Sequence, residues 1–162
     1  MKKLKSYVII WNRERGMRVK MENPQKCFGC GQENKDGLKL SFSYSENKAW
    51  TETKLENKFQ GFPGIAHGGI VTTLLDEVMA NILMKKGLFA VTAKLEVRFK
   101  EPVPIEENIL LAGEVDEEKS SSRLKYLSAW IEDEKGKVLA QAEGVFVDQT
   151  KKIMERKSEE ES

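Results

Sequence analysis

The segment 69–86 constrains the fold more than any other part of the chain. Ile70, Val71, Leu74, Leu75, Val78, Met79, Ile82 and Leu83 recur there at helical spacing, and Lys85-Lys86-Gly87 gives a cationic last turn followed by a glycine stop. Between Ile70 and Met84 only Asp76 and Glu77 carry charge, so this helix is apolar nearly all the way round and must be largely enclosed by the rest of the chain. What the rest offers is strands. Leu38, Leu40, Phe42 and Tyr44 alternate with polar residues, and 49–55 reads as a second, shorter strand. After the helix, Val91, Ala93, Leu95, Val97 and Phe99 alternate strictly with Thr92, Lys94, Glu96, Arg98 and Lys100, until Pro102 and Pro104 end the run. Segments 109–115, 124–132 and 138–147 complete the set, divided by turn-rich stretches at 116–122 and 133–136. Strand, strand, one long helix, then four strands predicts an α+β fold: an antiparallel sheet wrapped around a single central helix.

A chain of 162 residues closes one such core and has no room for a second substantial one. Residues 24–148 read as that unit, with a basic extension at 1–23 and a charged tail at 149–162, both expected to be mobile or helical at the surface. Lys and Arg total 27 against 26 Asp and Glu, a formal charge of +1, which supplies no general field for nucleic acid or acidic membranes. Neither is expected as a partner. The apolar run from Tyr7 to Trp11 is too short for a signal-peptide core or a membrane span. Two cysteines cannot staple a domain of this size, so a reducing cytoplasm is the expected compartment.

Successive helical residues point about 100° apart, so Asp76 and Glu77 cannot both reach one pocket. Asp76 shares its stripe with Gly69, Thr72, Thr73 and Ala80, small side chains that leave room for a ligand beside the carboxylate, whereas Glu77 is expected to point elsewhere and to be replaceable with little effect. A narrow solvated strip holding both acids explains the pattern equally well. Ahead of the helix, Gly61, Gly64 and His67-Gly68-Gly69 bring a glycine-rich loop to the helix N-terminus, where free N–H groups and the helix dipole suit a developing oxyanion or a thioester carbonyl. Read alone, that loop is more readily a simple turn. His67 is the only histidine, which leaves a serine triad without its sequence context and a metalloenzyme without ligands. Cys27-x-x-Cys30 is half of a zinc site with no second half in the chain, so it is expected to pack its loop and to hold well under one zinc per chain; no cofactor is implied.

Taken together, Cys27-Phe-Gly-Cys-Gly31, Asn34, Gly37, Leu38, Gly61, Gly64, His67-Gly68-Gly69 and Asp76 nine residues after the histidine resemble the PaaI-like hotdog-fold acyl-CoA thioesterases. Val91-Thr92-Ala93 and the run from Phe99 to Pro104 extend the likeness towards a Them4-like branch. The resemblance implies a homodimer, or a dimer of dimers, with active sites between subunits. It makes Asp76 the catalytic carboxylate and a backbone N–H of Gly68 or Gly69 the holder of the thioester carbonyl. His67 would position that turn, and Thr92 would arrive from the other subunit to orient water or the carboxylate. The implied reaction is hydrolysis of an acyl-CoA substrate, with Asp76 as general base or nucleophile. A non-catalytic acyl-CoA-binding sensor and a hotdog dehydratase or hydratase are the alternatives. Lys94, Arg98 and Lys100 could hold coenzyme A phosphates, though solvation of the strand explains them more simply.

Overall fold

A computed structural model of the chain describes residues 7–12, 17–22 and 25–160. In chain order the elements are β1 (Tyr7–Asn12), β2 (Met17–Glu22), β3 (Ser43–Tyr44), β4 (Lys48–Lys54), α1 (Gly68–Lys85), β5 (Ala90–Phe99), β6 (Asn108–Asp116), β7 (Leu124–Asp133), β8 (Val138–Asp148) and α2 (Thr150–Glu160). A single 3-10 turn lies at Asn57–Phe59. Strands β3 to β8 form one antiparallel six-stranded sheet in the order β3-β4-β6-β7-β8-β5, and α1 packs against β4, β5, β6, β7 and β8. This is the hotdog fold.

The α1 side chains Leu74, Leu75, Val78 and Met79 are wholly buried, against a sheet face that contributes Leu111, Ala129, Ile131, Ala140 and Phe146. Enclosing each such large side chain is worth roughly 1.5–3 kcal/mol, so the helix is held by its apolar surface. Its C-terminal end is closed as the glycine stop predicts. Gly87 adopts a φ of 78°, which a side chain would resist, while its N–H donates to Met84 O at 3.0 Å and Leu88 N–H to Leu83 O at 2.9 Å.

Three differences from the sequence reading have local causes. The strand expected from Leu38 to Tyr44 shrinks to Ser43–Tyr44, because Lys39 turns left-handed at φ 51°. The N–H groups of Leu38 and Leu40 are taken by Phe28 O and Gly29 O at 2.8 and 2.9 Å, which ties this stretch to the cysteine loop instead of to β4. Second, the N-terminal extension, expected to be mobile or helical, forms the antiparallel pair β1–β2, with Tyr7 opposite Glu22 and Asn12 opposite Met17. A β-branched and aromatic run, Tyr7-Val-Ile-Ile-Trp11, facing Met17-Arg-Val-Lys-Met21 has the strand propensity to do so.

Third, β5 carries a bulge: Thr92 lies opposite Phe146 and Lys94 opposite Val145, leaving Ala93 as the extra residue. In a regular strand Thr92 and Leu95, three apart, would face opposite sides. Here Leu95 and Val97 pack on the core while Thr92 also reaches α1. At the C-terminal end, the N–H of Thr150 donates to Asp148 Oδ1 at 2.8 Å, and the tail continues as α2. Among the described residues no helix is long and apolar enough to cross a membrane.

Candidate active site

The glycine-rich loop before α1 is pinned at several points. Gly61 N–H donates to Ile65 O at 2.8 Å, Ala66 N–H to Val103 O at 2.8 Å and His67 N–H to Phe59 O at 2.9 Å, so His67 enters the helix from a fixed direction. It is the N-cap, with extended backbone, and its Nδ1 accepts the Gly69 N–H at 3.0 Å. That bond requires Nδ1 to be unprotonated. Its carbonyl accepts from Ile70 and Val71 at 2.8 and 3.1 Å. Of the two glycine N–H groups proposed by sequence, Gly69 is therefore engaged, and Gly68 is the one with no acceptor among the described residues. Beside Gly68 lies the Phe99 ring, 3.8 Å from where a Cβ would stand, and the two share an apolar cleft of about 310 Å³ with Ile65, Val71 and Val103.

Two turns further along α1, Asp76 is half-buried, and the Thr92 hydroxyl donates to its Oδ1 at 2.7 Å. Burial holds the Asp76 carboxyl above the usual carboxylate range, the Thr92 hydrogen bond offsets part of that rise, and the charge of Glu77 adds to it. Thr92 was expected from a second subunit. The structure instead brings it from the same chain, because β5 follows α1 directly, packs beside it and is turned towards it by the bulge. Thr72 and Thr73, on the same stripe, turn their hydroxyls back onto Gly68 O and Gly69 O, each at 2.9 Å, and leave the space next to Asp76 open.

Glu77 points elsewhere, as expected, but not into solvent. It is a half-buried residue with partners of its own: Cys27 Sγ donates to its two oxygens at 3.5 and 3.7 Å, and Asn81 Nδ2 donates to Oε1 at 2.9 Å. Burial, followed by the Glu77 carboxylate, pushes the Cys30 thiol strongly up. The two adjacent acids thus serve different faces of α1, and neither lies on a free solvated strip. Sequence reading passed over Asn81, which is 4% exposed; a polar residue one turn after Glu77 in an otherwise apolar helix was the available signal. On β5, Lys94 and Arg98 pair with Glu96 at 3.5 and 3.8 Å at the exposed surface. A larger cleft of about 520 Å³, lined by Glu96, Arg98, Trp130 and Glu143, lies on the sheet face away from α1 and includes neither the His67 turn nor Asp76 nor Thr92.

Residues 63–137, which include the His67 turn, Asp76 and Thr92, match the family described as the thioesterase superfamily. Over that segment the chain resembles the thioesterase superfamily. Among curated members, acyl-coenzyme A thioesterase THEM4 of Bos taurus is 32% identical over 89 residues, covering 54% of this chain and 35% of that protein. The chain spans a third to a half of the length of the curated superfamily relatives it matches. A solved thioesterase superfamily protein is 26% identical with a TM-score of 0.72, over 91% of this chain and 69% of that one. The PaaI protein of E. coli shares the fold at 19% identity, with a TM-score of 0.60 over 65% of this chain and 79% of its own.

Proposed function

We propose that this chain hydrolyses an acyl-CoA thioester to a free acid and coenzyme A, with Asp76 as the group that activates water or attacks the carbonyl. The observation that carries the reading is the half-buried Asp76 carboxylate, fixed by Thr92 and raised in basicity by burial, inside the segment that matches the thioesterase superfamily. In the base form of the mechanism a water gives its proton to Asp76 and its oxygen to the thioester carbon. The oxyanion is held at the Gly68 N–H, and collapse expels the coenzyme A sulfur, which takes the proton back. In the nucleophile form Asp76 attacks the thioester carbon, the C–S bond breaks and the coenzyme A thiolate leaves to take a proton from solvent, and water then cleaves the resulting mixed anhydride to the free acid and the Asp76 carboxylate. The cleft beside Gly68 and Phe99 suits the apolar part of the substrate.

One chain does not supply the whole site. Gly68 and Asp76 are eight residues apart on α1, a rise of roughly 12 Å, whereas reacting atoms must come within about 3.5 Å of one another. A thioester that uses both must take the turn from one copy and the carboxylate from another. Strand β5 is a sheet edge with Val91 47% and Phe99 56% exposed, a suitable seam for a homodimer or a dimer of dimers. The cytoplasm belongs to the same proposal, since Cys27 and Cys30 are free thiols. A pure sensor has no use for a basic carboxylate at the thioester. A dehydratase needs a histidine base, and His67 spends Nδ1 on its cap.

Incubation with a panel of acyl-CoAs, following thiol release, is expected to show turnover of at least one chain class; no release from any of them at micromolar enzyme would sink the reading. The pH profile gives a second check. Asp76 acts when deprotonated, so kcat/KM falls as pH drops through its raised pKa. Thr92→Val removes a hydrogen bond that favours the charged form, and the acidic limb is expected to move to higher pH. A limb that stays in place or moves down contradicts the role given to Thr92.

A further inference from the structure

The geometry points to a zinc site, unrelated to the thioester chemistry, made by Cys27 Sγ, Cys30 Sγ and one Glu77 oxygen. These ligand atoms lie within 4.8 Å of one another. A tetrahedral ion with Zn–S near 2.3 Å and Zn–O near 2.1 Å sets sulfur and oxygen about 3.6 Å apart. Cys27 Sγ already stands 3.5 Å from Glu77 Oε1. The third ligand is fifty residues from the Cys-x-x-Cys pair, which is why the chain reads as half a site in sequence.

The surroundings are built for the cluster. Gly31 N–H closes the cysteine turn on Cys27 O at 3.0 Å, and a Cβ at Gly31 would stand 2.5 Å from backbone atoms of Cys27 and Gln25, so the turn that sets both sulfurs on one side admits only glycine. Gly29 lies against the Glu77 side chain, pressing the loop onto α1. Asn81 Nδ2 donates to Glu77 Oε1 at 2.9 Å and to Glu77 O at 2.9 Å, and its Oδ1 accepts from Tyr44 at 3.4 Å, so the carboxylate is oriented by an outer layer of its own. Charge completes the argument. Glu77 is a half-buried carboxylate that makes no ion pair with any described residue, and thiols are weak donors that compensate it poorly. A dication gives the carboxylate a direct ionic partner that the thiols do not, with the net charge of the cluster unchanged because two protons leave. Two thiolates and a carboxylate select a borderline-soft ion such as Zn²⁺ over Mg²⁺ or Ca²⁺. Binding converts two S–H groups to thiolates, releases two protons to solvent and leaves the cluster with a net charge of −1; water fills the fourth position.

The test is titration of the full chain, reduced and stripped with chelator, with Co²⁺ followed by displacement with Zn²⁺. One Co²⁺ per chain is expected, with a thiolate-to-cobalt charge-transfer band in the near ultraviolet that Zn²⁺ abolishes. Cys30→Ser and Glu77→Gln should each weaken Co²⁺ binding by roughly a hundredfold, the upper scale for perturbing a metal's surroundings. A wild-type titration without the band overturns the site by itself, whether or not a variant folds. So does a band that survives unchanged in both folded variants, since the ion would then sit elsewhere.

Discussion

Replacing Asp76 by asparagine lowers acyl-CoA turnover by roughly a hundredfold or more, the scale of losing a positioned acid–base group, while substrate affinity changes little. Asparagine matches the shape of aspartate and still accepts the Thr92 hydroxyl through its carbonyl oxygen, so the 2.7 Å contact and the packing of α1 survive. What disappears is the negative charge and its affinity for a proton. The change is therefore expected in kcat, with KM nearly constant. A folded Asp76→Asn protein that turns over at the wild-type rate would remove Asp76 from the mechanism, and with it the reason for reading Thr92 as its positioning partner.

Phe146→Ala is the substitution expected to cost most in stability. The ring is fully buried, lies opposite Thr92 in the β5–β8 pairing and packs so closely on Gly144 that a Cβ there would stand 2.9 Å from it. Truncating a buried phenylalanine costs about 3–5 kcal/mol, because both transfer energy and the contacts around the vacated space are lost. Against a total of about 5–15 kcal/mol for a whole domain, that is a large fraction. The urea midpoint, measured at fixed protein concentration because subunit association adds to apparent stability, should fall accordingly. Phe146→Leu, which retains most of the apolar volume, should fall clearly less. An unchanged midpoint for the alanine variant would mean that the β8 face does not anchor the core.

Where one physical signal dominates, the sequence is readable. The helix was visible because burial on nearly every side forces an apolar run at 3.6-residue spacing, and β6, β7 and β8 because each buries alternate residues against that helix. Period alone did not reveal where backbone hydrogen bonds would go. Leu38, Leu40 and Phe42 alternate as a strand should, and Leu40 is 4% exposed, yet the N–H groups of Leu38 and Leu40 serve the cysteine loop. The contrast between Asp76 and Glu77 followed from helix geometry, but the partners of Glu77 did not, since Cys27 approaches it across a separation of fifty residues. Thr92 was named only through resemblance. Its alternation with apolar neighbours places it on the outer side with Lys94, and nothing in the local composition announces the bulge.

That one unpaired residue carries a consequence for how the strand can change. A regular strand of this sheet has no choice of side: whatever stands at a given parity faces the helix, so any alteration that suits chemistry is also an alteration of the core. The extra residue at Ala93 separates these duties. Beyond it, Leu95 and Val97 keep the parity that packing demands; before it, position 92 faces α1 with the opposite parity and hydrogen-bonds Asp76. Deleting the residue at 93 would make Thr92 and Lys94 consecutive in a regular strand, which face opposite sides, so position 92 would stay on the side of Leu95; it is flattening the bulge with Ala93 kept in the ladder that would turn the hydroxyl to the side of Lys94.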